Sequence, residues 1–297
     1  MKFELYITID TEPDCDIHWN RSFPFTFTSV LQGIPEILRP IWDKYKINPI
    51  YFVSPEVVSD KACCDVLKNE ISKGAIIGTH LHSEYIEPNR TFVNGGTSNE
   101  FPCFAHDKNI ELEKIRNLTD LIKKNLGYNP EWYRAARFGA DLNTIQSLQK
   151  LGYKFDSSVT PHISWAKQGG PDHSKAPEQP YWISADNFYQ SVSREKSIGI
   201  KEFPVSISGK RMGAFGSVLP DKWLFYNWLR PSHMSVAEQK KLVNTYIKRY
   251  KNPTFVMMFH SMEIMIGKTP YVKNKKMQKY FLNRLEKTIE YIIQKNG

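Results

Sequence analysis

Apolar residues along the chain fall into two kinds of run. Seven runs are short and rich in apolar or β-branched residues, which is typical of strands buried on both faces. The predicted strands are Phe3–Ile9, Ile50–Val53, Ala75–Thr79, Glu131–Arg134, Lys154–Ser157, Ile200–Val205 and Thr254–Phe259.

Between the short runs, apolar residues recur at i, i+3, i+4 and i+7, the spacing of an amphipathic helix. The clearest examples are "IPEILRPIWDKY", "ELEKIRNLTDLIKKN", "LNTIQSLQKLG", "SVAEQKKLVNTYIKRY" and "MQKYFLNRLEKTIEYIIQ". Seven strands alternating with helices predict an α/β fold with a parallel sheet, either open or closed into a barrel.

The chain gives no sign of a division into domains. Its 297 residues suit one large α/β domain, and they contain no internal repeat, low-complexity segment or linker. The Gly- and Pro-rich run "KQGGPDHSKAPEQPYW" is interpreted as part of an insertion at about 162–199. We therefore expect a single domain over residues 1–297.

Composition indicates a soluble protein of the cytoplasm. Apolar residues make up 41% of the chain and charged residues 24%, and no apolar run approaches the ~20 residues of a membrane span. The start, "MKFELYITID", has no basic and apolar leader, which argues against secretion. Four cysteines, including the neighbours Cys63 and Cys64, suit reduced thiols better than a disulfide framework.

The net charge of +9 is spread over Lys-rich helices at 114–124, 240–251 and 273–279. Basic faces attract nucleic acid, anionic lipid or phosphorylated substrates. No zinc-finger, helix-turn-helix or RNA-binding signature accompanies the charge, so a nucleic-acid partner is not expected. A solvated Lys-rich surface is the simpler interpretation.

Polar residues end five of the predicted strands, and their chemistry is not that of turn formers. They are two acids, two imidazoles and a guanidinium: Asp10, His80, Arg134, Asp156 and His260. In a barrel of parallel strands, the carboxyl ends of the strands build the active site. We therefore expect these five side chains to share one site.

The stretch "TIDTEPD" carries Asp10, Glu12 and Asp14 at the end of the first strand. In extended chain, residues i and i+2 face the same side, so Asp10 and Glu12 can meet in one pocket. One carboxylate would hold a divalent metal while the other serves as base to water, as in metal-assisted hydrolysis. Alternatively, these acids cap the following helix.

The stretch "THLHSE" offers three further ligand types, His80, His82 and Glu84. If the chain stays extended, His80 and His82 face one side, whereas a helical turn would pair His80 with Glu84 at i+4. Carboxylate and imidazole ligands suit Zn, Co, Fe or Ni. Two histidines and one carboxylate leave positions open for water and substrate, as a catalytic metal requires.

The remaining strand ends suggest supporting roles. In "YRAARFGAD", Arg134 or Arg137 could hold Asp10 ionised, although both could instead pair with carboxylates of neighbouring loops. Asp156 in "FDSSVTP" could fix Arg134 or His260. His260 in "MMFHSME" could protonate a leaving amine and stabilise an oxyanion, or be structural.

In order and spacing, these motifs resemble the polysaccharide deacetylase family, that is, carbohydrate esterase family 4 with the NodB-homology fold. "TIDTEPD" stands at the family's Thr-Phe-Asp-Asp motif, "IGTHLHSE" at its His-Ser/Thr-x-x-His motif and "RAARFGAD" at its Arg-x-Pro-x-Gly motif. "FDSSVTP" and "MMFHSME" correspond to the fourth and fifth motifs. The chain is similar to the intracellular branch with Asp-x-Glu in the first motif.

The resemblance implies a deformed (β/α)7 barrel. It also implies a metal-dependent hydrolase that removes an N-acetyl or N-formyl group from an amino sugar in polysaccharide or glycolipid biosynthesis. It makes Asp10 the base and His260 the acid, with Arg134 and Asp156 orienting them. Glu12 and His80 would hold the metal, and from this sequence we expect His82 as the third ligand. Zinc is the first choice of metal, with Co, Ni or Fe as the other candidates.

The sequence departs from the family pattern at three places. Glu84 replaces the family's second histidine while His82 stands two residues earlier, so either could be the third ligand. Either Glu12 or Asp14 could be the carboxylate ligand, and Ala136 replaces the motif proline. A catalytically inactive relative that only binds carbohydrate is therefore one alternative.

A second alternative is a deformylase of a lipid-linked sugar at the inner membrane face. The stretch "DKWLFYNWLRP" gathers Trp223, Leu224, Phe225, Trp228 and Leu229 beside Lys222 and Arg230. Aromatic residues with basic neighbours suit peripheral membrane contact or a phosphorylated or lipid-linked N-acylated sugar. Packing of a helix on the barrel, or a wall on which a sugar stacks, would explain the same residues.

Overall fold

A computed structural model describes residues 2–21, 23–92, 100–210 and 226–296. Its strands are β1 Glu4–Thr11, β2 Ile50–Val53, β3 Ile76–Leu81, β4 Trp132–Ala135, β5 Phe155–Asp156, β6 Tyr181–Ser184, β7 Ser191–Val192, β8 Ser197–Glu202, β9 Ile207–Lys210, β10 Tyr226–Trp228 and β11 Thr254–His260.

Seven of these strands form one parallel sheet in the order β11-β1-β2-β3-β4-β5-β8. They are the seven strands that the sequence predicts, with ends displaced by at most three residues. Beyond β8, the strands β6 and β7 continue the sheet in antiparallel pairing, and β9 pairs with β10 separately. Both β6 and β7 lie within 162–199, where the sequence predicts an insertion; a single domain over 1–297 stays a prediction.

The sheet curls so that the segment after β8 meets β11. The backbone N–H of Ser206 donates to the carbonyl of Val256 at 3.0 Å, and the Ser206 hydroxyl accepts from the Val256 N–H at 2.9 Å. These bonds bring the two ends of the seven-stranded sheet together. The predicted deformed (β/α)7 barrel is confirmed.

Helices cover the outer face of the sheet and bury its apolar side chains. They are a π-helical segment Ser29–Leu38 that continues into α1 Arg39–Tyr45, then α2 Pro55–Ser59, α3 Lys61–Ser72, α4 Pro102–Ala105, α5 Lys108–Leu126, α6 Leu142–Lys150, α7 Val236–Arg249 and α8 Lys275–Asn296. In α5, the Asp107 side chain caps the first turn and Gly127, at φ 66°, ends the last. Capping residues of this kind fix where a helix begins and ends, so the ends of α5 can be recognised from the sequence.

Aromatic side chains fill the barrel below the ends of the strands. Phe52 and Trp132 are buried there in contact with Phe203. Gly78 on β3 makes room for this layer, because a Cβ at that position would lie 2.6 Å from the Phe52 ring. The filled interior leaves the carboxyl ends of the strands as the floor of a cleft.

Two predictions from composition can be compared with the described residues. Cys15, Cys63, Cys64 and Cys103 are buried free thiols, as reduced cysteines should be. Within the described ranges, no helix has the length and apolar character to cross a lipid bilayer.

Candidate metal centre and active-site cleft

A cleft of about 350 Å³ lies at the carboxyl ends of the strands, a size within the range of small-molecule sites. Its lining is charged at the base and aromatic on the walls: Asp10, Glu12, Cys15, Trp19, Arg21, His80, His82, Ala136, Arg137, Phe138, Trp165, Gln168, Trp228, Arg230, His260 and Tyr271. Parallel pairing brings the base together, since Asp10 on β1 lies opposite His260 on β11 and His80 on β3 lies opposite Arg134 on β4. Four of the five strand-end residues therefore meet around the cleft.

Three buried side chains form a group that could hold a metal ion. One ligand atom from each of Glu12, His80 and His82 lies within 4.8 Å of the others. Oε1 of Glu12 is 3.0 Å from Nε2 of His80 and 3.3 Å from Nε2 of His82. Imidazole and carboxylate are ligands of zinc and its neighbours, and three protein ligands leave room for water or substrate.

The hydrogen bonds of His80 show that its Nε2 suits a cation. Nδ1 lies 2.9 Å from the backbone carbonyl of Arg134, which can only accept, so Nδ1 carries the proton. In a neutral ring, Nε2 then presents its lone pair to the Glu12 carboxylate. Two acceptors facing each other at 3.0 Å require a cation or a proton between them.

His82 has the same arrangement, with a side chain as its partner. Its Nδ1 lies 3.0 Å from Oε1 of Glu56, and its Nε2 faces Glu12. A carboxylate on the outer nitrogen is the usual way in which proteins orient an imidazole that binds a metal. Burial alone would lower the pKa of His82, but Glu56 and Glu12 raise it to about 10.

Arg21 joins the two carboxylates of this group. Its Nη2 donates to Oε2 of Glu12 at 2.5 Å, and its Nη1 donates to Oε1 of Glu56 at 3.1 Å. Burial alone would raise the pKa of Glu12, but His82 and Arg21 hold it well below its usual range. The group thus keeps an ionised Glu12 whose Oε1 is turned toward both histidines. These residues fit a divalent cation.

The two other carboxylates considered as ligands have different partners. Asp14 accepts the backbone N–H groups of Thr28 at 2.7 Å and Ser29 at 3.0 Å, where the first helix begins. The alternative of helix capping therefore holds for Asp14 and not for Glu12. Glu84 accepts the N–H of Glu100 at 3.2 Å and is not a member of the metal-ligand group.

Asp10 is fixed by Arg134, which is fully buried. Nη1 of Arg134 donates to Oδ1 of Asp10 at 2.7 Å, and its other N–H groups bond to Thr8 and Ser157. The guanidinium also lies 4.4 Å above the Phe52 ring. Burial would raise the pKa of Asp10, but Arg134 and the nearby histidines lower it, so the carboxylate is ionised.

His260 is oriented by Glu263, three residues further along the chain. Nδ1 of His260 lies 2.8 Å from Oε1 of Glu263, and Arg230 donates to the same carboxylate. Burial would raise the pKa of Glu263, but Arg230 and His260 hold it far below its usual range. Nε2 of His260 is 3.8 Å from Oε1 of Glu12, so its free nitrogen reaches the metal-ligand group.

The structure corrects the position of Asp156. Instead of contacting Arg134 or His260, its Oδ1 accepts the Ser158 hydroxyl at 2.6 Å, and it lies opposite Glu202 on β8. Burial raises the pKa of Asp156 and raises that of Glu202 well above its usual value, and Asp156 adds to the latter. Both raised pKa values favour a protonated carboxyl in this pair, which lies away from the cleft. The place beside His260 that the sequence gives to Asp156 is taken by Glu263.

Part of the stretch "DKWLFYNWLRP" belongs to the cleft. Lys222, Trp223, Leu224 and Phe225 lie outside the described residues, while Trp228 is 1% exposed and lines the cleft. Leu229 is fully buried in the core. The described residues of this stretch thus pack in the core and form a wall of the cleft, and peripheral membrane contact stays a prediction.

Sequence reasoning missed Arg21, Glu56 and Glu263, and it considered Arg230 only as a basic neighbour of the aromatic stretch, not as the partner of Glu263. Glu56 and Glu263 each lie three residues after the end of a strand, β2 and β11, so the strand-end argument could have been extended to them. Arg21 lies nine residues from Glu12 but 35 from Glu56, and Arg230 lies 33 residues from Glu263. Nothing in the local sequence indicates those pairs.

No protein-family model matches the chain, and no curated protein matches it. Solved structures do. A Mycobacterium smegmatis protein provisionally described as a polysaccharide deacetylase superposes with a TM-score of 0.51 at 13% identity, over 100% of this chain and 85% of its own. The chain has the fold of a polysaccharide deacetylase.

Two Thermococcus enzymes share the fold as well. A branching enzyme from Thermococcus kodakaraensis has a TM-score of 0.50 at 11% identity, over 99% of this chain and 69% of its own. A 4-α-glucanotransferase from Thermococcus litoralis has a TM-score of 0.51 at 13% identity, over 95% of this chain and 37% of its own. The fold is therefore compatible with more than one carbohydrate chemistry, and the site must decide between them.

Proposed function

We propose that the protein is a metal-dependent hydrolase that removes an N-acetyl or N-formyl group from an amino sugar. The observation that carries this proposal is the buried group of Glu12, His80 and His82, with Asp10 and His260, paired on adjacent strands, in the same cleft. A divalent cation held there, most simply zinc, would polarise the acyl carbonyl and favour deprotonation of water.

Asp10 is the base in this proposal. It lines the cleft, is 2% exposed and is kept ionised by Arg134, so it can take a proton from the attacking water. As the water oxygen bonds to the acyl carbon, its proton passes to Oδ2 of Asp10, because Oδ1 is already bonded to Arg134. Arg134 keeps the carboxylate aimed at the cleft throughout.

His260 is the acid. With Nδ1 held by Glu263, the Nε2–H of the imidazolium would point into the cleft toward the leaving nitrogen. When the C–N bond breaks, that proton passes to the amine, and the products are a carboxylate and a free amino sugar. Glu263 stays ionised and stabilises the imidazolium before the transfer.

The rival suggested by the fold is cleavage or transfer of a glycosidic bond. That chemistry usually needs two carboxyl groups, one of which is a protonated acid with a raised pKa. In the described part of the cleft the carboxyl groups are Asp10 and Glu12, and the pKa of both is lowered. Amide hydrolysis, in which a histidine supplies the proton, fits these residues better.

The walls of the cleft support a sugar as substrate. Trp19, Phe138, Trp165, Trp228 and Tyr271 line it. Aromatic faces bury the apolar face of a sugar ring while the polar groups at the base fix its orientation. The Mycobacterium smegmatis protein of similar fold is described as a polysaccharide deacetylase, which indicates the same substrate class. We also propose that the reaction takes place in the cytoplasm.

The test is metal analysis of the purified chain combined with acetate or formate release from N-acylated amino sugars. We expect one divalent cation per chain, release of the carboxylate, and loss of both on chelation with recovery on adding zinc. Bound metal without release from any such sugar would support the carbohydrate-binding alternative. Release that survives complete removal of metal would contradict the proposal.

A further inference from the structure

Arg137 differs from the other arginines at the cleft in having no carboxylate partner among the residues that the structure describes. Arg21 pairs with Glu12 and Glu56, Arg134 with Asp10 and Arg230 with Glu263. Arg137 lines the same cleft, but its hydrogen bond, at 3.4 Å, goes to the amide oxygen of the exposed Gln168. Within the described residues, each cleft carboxylate is thus matched by another cation.

The guanidinium of Arg137 is held in place by a stack of packed groups. It lies 4.6 Å above the ring of Phe101, which is 4% exposed. Phe101 is clamped in turn, because a Cβ on Gly170 would lie 2.3 Å from its ring and one on Gly139 would lie 2.8 Å from its Cα. A cation on a fixed aromatic platform is ready to bind without first losing much side-chain freedom.

The backbone at Arg137 is also unusual. Arg137 has φ 53° and Phe138 has φ 59°, two consecutive non-glycine residues in the left-handed region. Such backbone strain costs about 1–3 kcal/mol per residue and is concentrated at functional sites. Here it directs two consecutive side chains, one cationic and one aromatic, into the cleft wall.

Burial leaves this guanidinium short of hydrogen bonds. Its Nε is buried without a hydrogen-bond partner in the described structure. Desolvation by burial lowers the pKa of Arg137, and attraction from Glu84 only partly opposes this. No ion pair within 4.0 Å joins Arg137 to a described carboxylate. An anionic group of a ligand would therefore supply the hydrogen bonds and the opposite charge that the guanidinium loses when it is buried away from water.

We infer that Arg137 selects a sugar that carries an anionic group, a carboxylate or a phosphate, beside its N-acyl group. The inference rests on the proposed function for the sugar itself, and the Arg137 guanidinium, which has no ion-pair partner among the described residues, is the reason to expect an anionic group on that sugar. Arginine binds both kinds of anion through two parallel N–H donors, which accounts for the shared chemistry. Arg137 is a specificity-determining residue and takes no part in proton transfer.

The test is a binding measurement that does not depend on turnover. Calorimetric titration of the zinc-loaded full chain, carrying Asp10→Asn to prevent hydrolysis, would compare three probes. These are neutral N-acetylglucosamine, N-acetylglucosamine 1-phosphate and the carboxylate sugar N-acetylmuramic acid. One of the two anionic sugars should bind at least about 10-fold more tightly than the neutral sugar, and which one does so identifies the anion.

Arg137→Gln should remove this preference, lowering the affinity for the anionic sugar about 10-fold or more and leaving that for N-acetylglucosamine within about 2-fold. Arg137→Lys should retain part of it. Arg116→Gln, on an exposed face of α5, removes the same charge and should change neither affinity. In the chain with Arg137 intact, added salt should weaken binding of the anionic sugar alone.

Equal binding of all three sugars, or an equal loss for neutral and anionic sugars in Arg137→Gln, would overturn the inference. So would an anionic preference that survives Arg137→Gln. Each of these results would leave the proposed hydrolysis standing, because release of acetate or formate is measured separately. Conversely, a chain that binds anionic sugars through Arg137 but hydrolyses none would refute the proposed reaction and keep the anion site.

Discussion

Nδ1 of His82 lies 3.0 Å from Oε1 of Glu56, so a carboxylate from the start of α2 orients an imidazole at the end of β3. Both side chains are buried, and Arg21 bonds to the same carboxylate oxygen. A carboxylate in this position fixes the ring and makes the opposite nitrogen a better donor to a metal. The metal site therefore extends to a residue that supplies no ligand atom.

Glu56→Gln should weaken zinc binding by about 10- to 100-fold while the chain stays folded, because the outer partner of His82 loses its charge. Competition with a chromophoric chelator would measure the affinity. Glu84→Gln is the matched control, since Glu84 is a buried glutamate close in sequence to His82 that bonds to the backbone of Glu100. If Glu84→Gln weakens binding and Glu56→Gln does not, the ligand assignment is wrong.

Zinc binding should release about one proton per chain at neutral pH. With its pKa raised to about 10, His82 is protonated when no cation is bound, and a cation can bind its Nε2 only after that proton leaves. Glu12 contributes no proton because it is already ionised. Titration calorimetry in buffers of different ionisation enthalpy would count the protons, and His82→Asn should reduce the count. A count near zero in the unchanged protein would contradict this account.

The sequence predicts the sheet well because its strands carry a strong local signal. Seven parallel strands buried on both faces appear as nearly continuous apolar runs, and the strand-end rule then locates Asp10, His80, Arg134 and His260. The strands β6, β7, β9 and β10 are antiparallel and have two to four residues each, too few for a clear alternation. They escape prediction for that reason.

Partners are harder to predict than ligands, because pairing depends on how distant loops fold back. Asp156 stands at the carboxyl end of a strand as Asp10 does, yet its side chain pairs with Glu202 beside it and not with His260. Glu263 takes the position by His260 because a helical turn after β11 brings it back over three residues. Neither outcome follows from residue type or from strand position alone.

Replacing each of the two carboxylates at the end of β1, Asp10 and Glu12, by its amide should separate their roles. Asp10→Asn should keep the bound cation and lose activity by about 10²–10⁴, the usual cost of removing a positioned base. Glu12→Gln should lose the cation, because its Oε1 faces both imidazoles. Metal analysis beside hydrolysis rates would decide. An empty Asp10→Asn beside a loaded, active Glu12→Gln would reverse the two roles.

Glu263→Gln should slow hydrolysis about 10- to 100-fold with little change in KM. The reason is that the His260 imidazolium, which acts as the acid and not in substrate binding, loses the charged partner that stabilises it. Asp156→Asn should leave kcat within a few-fold, because its carboxyl contacts Ser158 and Glu202. Thermal unfolding of both variants would show whether the fold is kept. Replacing Glu263 also leaves the buried Arg230 without its ion-pair partner, which destabilises the fold. The rates of Glu263→Gln should therefore be measured well below the midpoint temperature of its thermal unfolding. A loss of kcat confined to Asp156→Asn would restore the role expected from the sequence.

The pair of Asp156 and Glu202 should make the protein less stable as pH rises. Burial, with the Asp156 charge beside it, raises the pKa of Glu202 well above its usual value, so the folded chain keeps a proton that the unfolded chain gives up near pH 4.3. The folded state therefore binds more protons, and the free energy of unfolding falls by about 1.4 kcal/mol per pH unit from there up to the folded pKa.

Glu202→Gln imitates the protonated carboxyl, so this share of the decline should disappear. Urea unfolding at several pH values between 5 and 8 would give the free energy of unfolding of both proteins. As pH rises, the free energy of unfolding of the variant should increase relative to that of the unchanged protein. Only the unchanged protein has a carboxyl group at position 202 whose proton is bound in the folded state and lost in the unfolded state. Glu36→Gln, on an exposed position, is the matched control and should run parallel to the unchanged protein. If Glu202→Gln also runs parallel to it, the two buried carboxyl groups do not share a proton, and the burial of Asp156 beside Glu202 needs another explanation.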